Sequence, residues 1–356
     1  MKKFAFLPCF ILVARGVLAL GLATAQEAGE PASADDAFGR LFRRAGTVAL
    51  TTPDSLAVLS VSSLRVDAEN RIYIADAKSY AVHVFDSTGG WLRSFGRRGQ
   101  GPKEFKSPSS LAFTPAGEVL VGDTGNKRLS IWSSDGEFVR VVPLERSPSD
   151  LAFTRDARLV VLTYSAKLCA VYNAQFELQS EIGEWRDLPR EFTQKYRMPI
   201  RGGSFSLDHH GHIYFAFVGK YLIRKFDLSG TLLAEFGRQA PFYRAPTAPP
   251  AELSPQKIQA WQESWTPILK VLATQEGRLL VQIRTYKQNS DRYDSKIDVY
   301  DLEGNLLQGG LECTVRLETQ APNGDLYFIE TREPDEELEI RNPVLHRYRL
   351  VHDARE

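Results

Sequence analysis

Residues that bind metals or carry redox chemistry are scarce in this 356-residue chain, which has three cysteines, two methionines and six histidines. Cys9 lies in an N-terminal apolar stretch, and no CxxC or metal-finger spacing occurs. Cys169 and Cys313 fall in different internal repeats, so we predict two buried free thiols, although an oxidising compartment would allow them to pair. A Gly-x-Ser-x-Gly nucleophile motif is also absent, which excludes that class of hydrolase.

An excess of charge of one sign is also lacking, because the chain has 44 basic and 44 acidic residues. Its first 25 residues contain Lys2, Lys3 and Arg15 but no acidic residue, so a chain without them has 41 basic residues against 44 acidic ones. This near-neutral balance argues against a dedicated nucleic-acid-binding protein.

The only long apolar run covers residues 4–22, between a basic start and the small residues Ala23 and Ala25. This pattern predicts a signal peptide over residues 1–25 and export to the periplasm or the extracellular space. Arg15 interrupts the run, so the mature chain is predicted to lack a stable membrane span, although retention of the leader as an anchor stays open. Residues 26–43 are predicted to be a linker, rich in Ala, Glu, Ser and Pro in their first part.

An internal repeat occupies the rest of the chain. The aromatic residues that close its third apolar runs are Phe85, Trp132, Tyr172, Phe226, Tyr300 and Tyr348. The first apolar residues of the same units are Leu64, Leu111, Leu151, Phe205, Leu269 and Leu317. Both series give six units, and all but the sixth have four short runs of alternating apolar residues separated by turns.

Four short strands every 40 to 50 residues are typical of propeller blades. We therefore predict an all-β fold, a six-bladed β-propeller of four-stranded antiparallel blades that extends over residues 44–352. The approximate blade bounds are 62–108, 109–148, 149–203, 204–265, 266–315 and 316–351. The sixth unit supplies only three strands, so we expect a strand from residues 47–61 to complete it and close the ring; a loosely attached arm is the alternative.

Residues 95–140 resemble the NHL-type propeller repeat, which combines a glycine-rich linker with a D-x-x-N-x-R loop. The matching linker residues are Gly96, Gly99, Gly101, Phe105 and Pro108, and the matching loop residues are Asp123, Asn126 and Arg128. The resemblance is close over units one and two and fair over units four and five. It implies the propeller fold but no single activity, because NHL-like propellers include protein binders, RNA binders and a metal-dependent amidating lyase.

Most residues that could carry chemistry fall at turn positions that recur between units. The glycines of residues 96–101 are predicted to form a connection between blades, because no helix with a phosphate-binding Lys follows them. His209 and His210 align with a tight turn, while a metal role for the group that ends at His212 stays open. The aspartates at repeated positions are predicted to cap turns. No cofactor or metal site is predicted, although Ca²⁺ or Zn²⁺ in the central channel stays possible.

Three insertions, at residues 184–203, 237–266 and 330–343, interrupt the repeat. They lie in the connections between blades and in the loops between second and third strands, which form one face of a propeller, here named the loop face. Ser254 and Pro255 predict the start of a short helix in the second insertion. The candidate binding residues on this face are Arg97, Arg98, Lys103, Lys127, Arg128, Arg201, Arg238, Tyr243, Arg244 and Trp261.

Arginine next to aromatic residues is typical of binding surfaces. We therefore expect an exported monomer that binds a protein, a peptide or an envelope polymer through the loop face. An acidic polymer or a glycan is an alternative ligand for the same residues, and ordinary solvated surface is the plain alternative. A metal-dependent lyase or lactonase-type hydrolase, with an ion in the central channel, is the alternative function.

Overall fold

In the computed structural model, the described residues are 37–163, 166–184, 202–247, 250, 254–285, 294–330 and 342–351. All of them fall within one compact unit, Ala34–Glu356. They form six sheets, each with four antiparallel strands. The predicted all-β, six-bladed propeller is therefore confirmed.

The strands follow one another in chain order around the ring. The first three blades contain β2 (Val61–Val66), β3 (Ile72–Asp76), β4 (Ala81–Phe85), β5 (Trp91–Phe95), β6 (Pro108–Phe113), β7 (Val119–Asp123), β8 (Arg128–Trp132), β9 (Phe138–Pro143), β10 (Pro148–Phe153), β11 (Leu159–Thr163), β12 (Lys167–Tyr172) and β13 (Leu178–Glu184). The last three contain β14 (Gly203–Leu207), β15 (Ile213–Phe217), β16 (Ile223–Phe226), β17 (Leu232–Phe236), β18 (Ile268–Ala273), β19 (Arg278–Thr285), β20 (Asp294–Asp301), β21 (Leu306–Cys313), β22 (Arg316–Gln320), β23 (Leu326–Ile329), β24 (Val344–Leu350) and β1 (Phe42–Ala49).

Three short helical segments accompany the strands. The helix α1 (Ala37–Leu41) precedes β1, and a single 3₁₀ turn spans Thr124–Asn126. The helix α2 (Pro255–Glu263) lies in the connection between the fourth and fifth blades, with Ser254 as its N-cap. The serine side chain accepts a hydrogen bond from the backbone N–H of Lys257, as a helix start with a following proline predicts. Within the ranges given above, no helix has the length and apolarity to span a membrane.

The second strands of all six blades are largely buried, as are the third strands of the first, second, third and fifth blades, whereas the fourth strands expose much of one face. Burial is expected on both sides of these strands because each blade packs its two faces against its neighbours. The aromatic markers Phe85 and Trp132 are at most 3% exposed. In five blades, the predicted first apolar residue is a buried residue of the first strand. In the fifth blade, the buried residue that corresponds to Leu64 is Val271 rather than Leu269. The β-bulge between Ile268 and Lys270 has counterparts in the first three blades, and Leu269 is the bulge residue, as Ser62 is in the first blade.

The ring is closed by β1, which pairs with β24 and forms the outer strand of the sixth blade. The pairing runs from Phe42 opposite Leu350 to Ala49 opposite Val344. Phe42 is 1% exposed, and its ring stacks on that of Phe38 with the centroids 4.6 Å apart. Both rings also contact Phe328 edge-to-face, so aromatic packing fastens the N-terminal strand to the last blade.

The closing strand begins earlier in the chain than predicted. It covers Phe42–Ala49, whereas the sequence predicts it within residues 47–61. Only residues 47–49 belong to both ranges, and α1 together with the start of β1 covers part of the predicted linker. The apolar residues Phe38 and Phe42 explain the difference, because they give this segment side chains to bury. Residues 50–60 instead connect the closing strand to the first blade, with the N–H of Leu59 bonded to Asp76 at 2.7 Å.

Candidate functional site

The predicted binding residues form two groups rather than one. Arg97, Arg98, Lys103, Lys127 and Arg128 lie at the connection between the first and second blades and at the loop after β7. The second group lies in the connection between the fourth and fifth blades and consists of Arg238, Tyr243, Arg244 and Trp261. Three blades separate the two connections, which places the groups on opposite sides of the ring. Arg201 lies outside the described residues.

In the first group, Arg128 makes contacts within the fold. Its guanidinium donates hydrogen bonds to the carbonyl oxygens of Gln100 (3.0 Å), Gly101 (2.6 Å) and Glu104 (2.6 Å). The N–H groups of Lys106 and Ser107 bond the buried Asp123 carboxylate at 3.1 and 2.9 Å. The D-x-x-N-x-R residues therefore hold the glycine-rich linker in place.

The other cations of this group are exposed. Arg97 pairs with Glu104 at 3.1 Å, and Arg98 lies over the Tyr80 ring at 5.3 Å. Gly96 has a φ of +88°, and an added Cβ would lie 2.2 Å from the Phe105 ring. This geometry agrees with the interpretation of the linker as a tight connection between blades.

Replacing Arg128 with Ala is expected to lower the free energy of unfolding by about 2 kcal/mol, because three carbonyl groups lose a charged donor. We also expect faster proteolysis within residues 97–105, measured by mass spectrometry of limited digests. Lys103→Ala, a change at an exposed lysine in the same linker, serves as the control. Equal digestion rates for the two variants would show that Arg128 does not hold the linker.

In the second group, Arg238 forms a two-pronged ion pair with Asp298 of β20. Its Nε and Nη2 atoms lie 2.6 and 2.7 Å from the two carboxylate oxygens of Asp298, which is fully buried. The same carboxylate accepts hydrogen bonds from the hydroxyl of Tyr221 and the N–H of Gly310. The hydrogen bond to Asp298 raises the pKa of Arg238 further above its already high value. Residues 237–244 are therefore anchored to the fifth blade.

The aromatic residues of this group are more buried than a binding surface requires. Trp261 is 6% exposed, and its indole N–H donates to the carbonyl of Thr247 at 3.0 Å. Tyr243 packs on Tyr221 at 5.5 Å between ring centroids, and burial raises its pKa to about 12. The expectation that Trp261 lies on an exposed aromatic surface is wrong, because α2 turns this side chain towards Trp265 and the connecting segment.

A cleft opens beside these buried rings, and we name it the blade 4–5 cleft. It has a volume of about 190 Å³ and is lined by Pro241, Phe242, Arg244, Glu263, Thr266, Thr285 and Lys296. The Phe242 ring is half-buried, with Arg238 at 5.3 Å and Lys296 at 5.6 Å from its centroid. Arg244 and Glu263 are exposed on the cleft rim. The cleft therefore combines one aromatic ring with charges of both signs.

The central channel is lined by the first strands of the blades and contains several ion pairs. Arg65 of the first blade reaches Asp150 of the third blade at 3.0 Å, and Lys270 of the fifth blade lies 4.0 Å from the same carboxylate. Arg316 and Glu318 of the sixth blade form a further pair. Three alternate blades thus contribute charges to one network across the channel.

These channel residues fit a divalent metal poorly. The two carboxylates, Asp150 and Glu318, are both paired with arginines, and Lys270 adds a third cation. Divalent cations require several oxygen or nitrogen ligands without competing cations. Across the part of the chain that the structure describes, no group of three or more His, Cys, Asp or Glu side chains could hold a metal ion. We therefore derive no reaction through a channel ion.

The remaining candidate residues have structural partners. Asp208 accepts hydrogen bonds from the N–H groups of His210 and His212 at 2.9 Å each, which holds the turn around His209. His83 is buried between the hydroxyls of Ser79 (3.0 Å) and Ser94 (2.7 Å). The interpretation of His209 and His210 as turn residues agrees with the structure, whereas His83 lies in β4.

The cysteines and the repeated aspartates also agree with their interpretation. Cys169 and Cys313 are both buried and free, in the third and fifth blades. Burial raises the pKa of the Cys313 thiol to about 11. Asp86 accepts from the N–H groups of Thr88 and Gly90 in a turn, as the prediction requires.

Comparison with known proteins finds similarity in the first part of this chain. Residues 34–159 match the family model described as "6-bladed beta-propeller". A human protein, NHL repeat-containing protein 3, is 29% identical over 122 residues, which are 29% of this chain and 34% of that protein. Both similarities agree with the six-bladed propeller that the structure shows. The match spans about a third of the length of the human relative.

Solved structures are similar in fold to this propeller over nearly the whole chain. A member of the DUF4221 family from Bacteroides vulgatus has a TM-score of 0.64 at 12% identity, over 88% of this chain and 98% of that one. An inactive virginiamycin B lyase from Staphylococcus aureus, solved with quinupristin, has a TM-score of 0.52 at 11% identity, over 84% and 83% of the two chains. At these identities the likeness concerns the fold alone.

Sequence reasoning missed the channel network of this propeller. Arg65, Asp150, Lys270 and Glu318 each lie beside a residue of the first-strand marker series, so the repeat alignment alone could have placed them near the axis. A charged residue next to the first apolar residue of a unit therefore predicts a side chain near the channel axis. It does not predict which charged residue it pairs with or at what distance, because both depend on how the ring closes.

Proposed function

We propose that this chain is an exported scaffold that binds an extended segment of a protein partner in the blade 4–5 cleft. The observation that carries the proposal is the combination of Phe242 with Arg244, Glu263 and Lys296 around one opening on the loop face. Protein interfaces are enriched in aromatic residues and Arg, and an aromatic anchor surrounded by a polar rim is their usual arrangement.

The charges of the cleft favour a particular kind of segment. Lys296 pairs with Glu312 at 3.1 Å, and Glu263 accepts a hydrogen bond from Gln259 at 3.0 Å, which leaves Arg244 as the cation of the rim that a ligand can approach. A partner segment with an apolar side chain against Phe242 and a carboxylate towards Arg244 would satisfy both features. A uniform polyanion suits the cleft less well, because Glu263 would repel it.

The support beneath the cleft is rigid, which suits recognition without large rearrangement. The Arg238–Asp298 pair anchors the segment that carries Phe242, and the N–H and carbonyl of Arg244 both bond Thr266, at 2.7 and 3.0 Å. Binding loops held on a fixed sheet lose little conformational entropy when a ligand binds. The cleft is therefore expected to keep its shape when it is empty.

A display experiment tests the proposed cleft. Selection of random peptides on the wild-type chain is expected to enrich peptides with an acidic residue near an apolar one. The enriched peptides should bind the Phe242→Ala variant at least tenfold more weakly, since tenfold corresponds to about 1.4 kcal/mol and loss of an aromatic anchor typically costs more than that. The measurement is the Kd by fluorescence anisotropy, with Lys296→Glu as a second cleft variant.

The matched control is Lys78→Glu, which reverses an exposed charge on the first blade, away from the cleft. This variant should bind the selected peptides as the wild type does. Peptides that bind the cleft variants and the wild type equally would disprove the proposed location. Binding that disappears at moderate salt and shows no preference between acidic polymers would instead support the acidic polymer alternative.

Export of the chain is part of the proposal and rests on the pattern of residues 1–25. Cleavage after Ala25 would give a mature protein that begins at Gln26. N-terminal sequencing of protein recovered from the periplasm or the medium checks this expectation.

A further inference from the structure

We propose that the central channel contains a binding site for a small oxyanion, a carboxylate or a phosphate. The site is a cavity of about 140 Å³ lined by residues of the first strands from several blades. Its lining includes the charged residues Arg65, Asp150, Lys270 and Glu318, and most of its other polar side chains are serines. This site is separate from the blade 4–5 cleft, and it does not depend on the proposed peptide binding.

Three of the five lining serines supply hydrogen-bond donors, because Ser62 and Ser109 already donate to backbone carbonyls. The hydroxyl oxygen of Ser63 accepts a hydrogen bond from the N–H of Leu111 at 3.2 Å, and that of Ser204 accepts from the N–H of Val271 at 3.0 Å. A hydroxyl that accepts from the backbone still has its own O–H to donate. Ser149 Oγ is buried and has no hydrogen-bond partner within the described part of the chain. The cavity thus has hydroxyl donors that need an acceptor.

The charges of the channel add to this excess of donors. Asp150 accepts a hydrogen bond from Arg65 at 3.0 Å, whereas the Lys270 ammonium lies 4.0 Å from the same carboxylate. At 4.0 Å no hydrogen bond forms, so the ammonium donors are not satisfied by Asp150. Arg316 and Glu318 form the other ion pair. Together these residues give three cationic side chains, Arg65, Lys270 and Arg316, against two carboxylates. A bound monoanion would balance the charge and accept from Lys270.

The volume limits the ligand to a small one. A single water needs about 10–15 Å³ of such a cavity, and ligand pockets for drug-sized molecules measure about 300–1,000 Å³. A cavity of about 140 Å³ therefore has room for a phosphate ion or a short carboxylate, but not for a nucleotide. The polar lining also disfavours a purely apolar ligand, because the serine hydroxyls would lose their water without gaining a partner.

The environment of Lys270 makes this binding dependent on pH. Desolvation lowers the pKa of Lys270, and the charges of Arg65 and Arg316 act in the same direction, against Asp150 and Glu318. A bound anion would favour the protonated ammonium and so raise this pKa. Affinity for the anion should accordingly decrease as the pH rises through the lowered pKa of Lys270.

Thermal unfolding of the full mature chain tests the site, with inorganic phosphate and acetate as probes at constant ionic strength. Phosphate or acetate is expected to raise Tm in a concentration-dependent way, while chloride at equal ionic strength leaves it unchanged. Comparing phosphate with acetate shows which oxyanion the site prefers. Absence of a Tm shift with both probes would overturn the proposal.

Two channel variants and one control locate the effect. Lys270→Met should abolish the shift, and Ser149→Ala should weaken the apparent affinity about tenfold, the amount that corresponds to about 1.4 kcal/mol. Lys78→Met, a change at an exposed lysine of the first blade, should keep the full shift. A shift that persists in Lys270→Met would contradict the channel site.

Misfolding cannot account for the expected result with Lys270→Met. Lys270 makes no hydrogen bond to Asp150, and Asp150 keeps its hydrogen bond from Arg65, so Lys270→Met leaves no buried charge unpaired. We expect the Tm of this variant without added anion to equal or exceed that of the wild type. The Phe242→Ala cleft variant should keep the phosphate response, and Lys270→Met should keep the peptide affinity, so the two proposals can fail separately.

Discussion

Replacing Phe42 with Ala is expected to lower the free energy of unfolding by about 3–5 kcal/mol, the range for large aromatic side chains in packed cores. Phe42 is 1% exposed and stacks on Phe38 in the cluster that joins β1 to the last blade. Its removal leaves a cavity at the junction where β1 joins the last blade, here named the seam. The measurement is urea-induced unfolding, followed by tryptophan fluorescence.

A loosened seam should also change the state of association. When β1 separates from β24, the backbone groups of β24 form an exposed sheet edge, and such edges pair with other chains. We expect Phe42→Ala to form soluble aggregates on gel filtration at concentrations where the wild type does not. Arg43→Ala is the matched control because its side chain is exposed on the same strand. If both variants lose the same stability, aromatic packing does not fasten the ring.

The Asp298→Asn substitution is the second change with a large expected effect, a loss of about 3–5 kcal/mol. The two residues have the same shape, but the amide cannot accept both hydrogen bonds from Arg238, whose charge is only 23% exposed. The guanidinium then stays in a poorly solvated position without its partner. Peptide binding in the blade 4–5 cleft should weaken as well, because Arg238 anchors the segment that carries Phe242.

A double-mutant cycle separates the ion pair from simple packing. Arg238→Met alone leaves the buried Asp298 carboxylate unpaired, while Arg238→Met combined with Asp298→Leu removes both charges. The double variant should therefore be more stable than the Arg238→Met single variant, with a coupling energy of about 2 kcal/mol. Additive losses would mean that the two side chains stabilise the fold independently. Asp301→Asn, at a more exposed turn of the same strand, controls for the loss of a carboxylate.

The repeat in the sequence was sufficient to predict the fold. The closing aromatic residues, such as Phe85 and Trp132, do end third strands. Alternating apolar residues that are interrupted by turns at regular intervals are compatible with few architectures other than a propeller. The register was less predictable. The marker Leu269 is wrong by two positions, because Val271 is the buried residue that corresponds to Leu64. Apolar residues occupy positions 268, 269, 271 and 272, so the alternating pattern alone does not fix the register there.

The candidate site was predicted only in part, for a geometric reason. The sequence indicated that Ser254 begins a helix, which agrees with the structure, but this helix ends at Glu263, so Trp265 lies beyond it and packs on Trp261 from outside the helix. Periodicity identifies the residues of one helix face but not the direction in which that face turns. The tryptophans pack inwards, while Phe242 and Arg244 of the preceding segment line the cleft.

The channel network shows the same limit more clearly. Arg65 and Asp150 belong to blades one and three, and they meet only because the ring brings non-neighbouring blades to a common axis. No local pattern specifies that contact.

The pairing of β1 with β24 also determines the order in which this protein can fold. Phe42 lies opposite Leu350, so β1 pairs with β24 only after the strands of the first five blades have been synthesised. Joining chain segments about 300 residues apart costs about 5 kcal/mol of loop entropy if the intervening chain is unstructured. Blades formed earlier shorten that effective loop, so ring closure is expected to be the final step. Until then the ring has a gap, and the backbone groups of β24 form an open sheet edge.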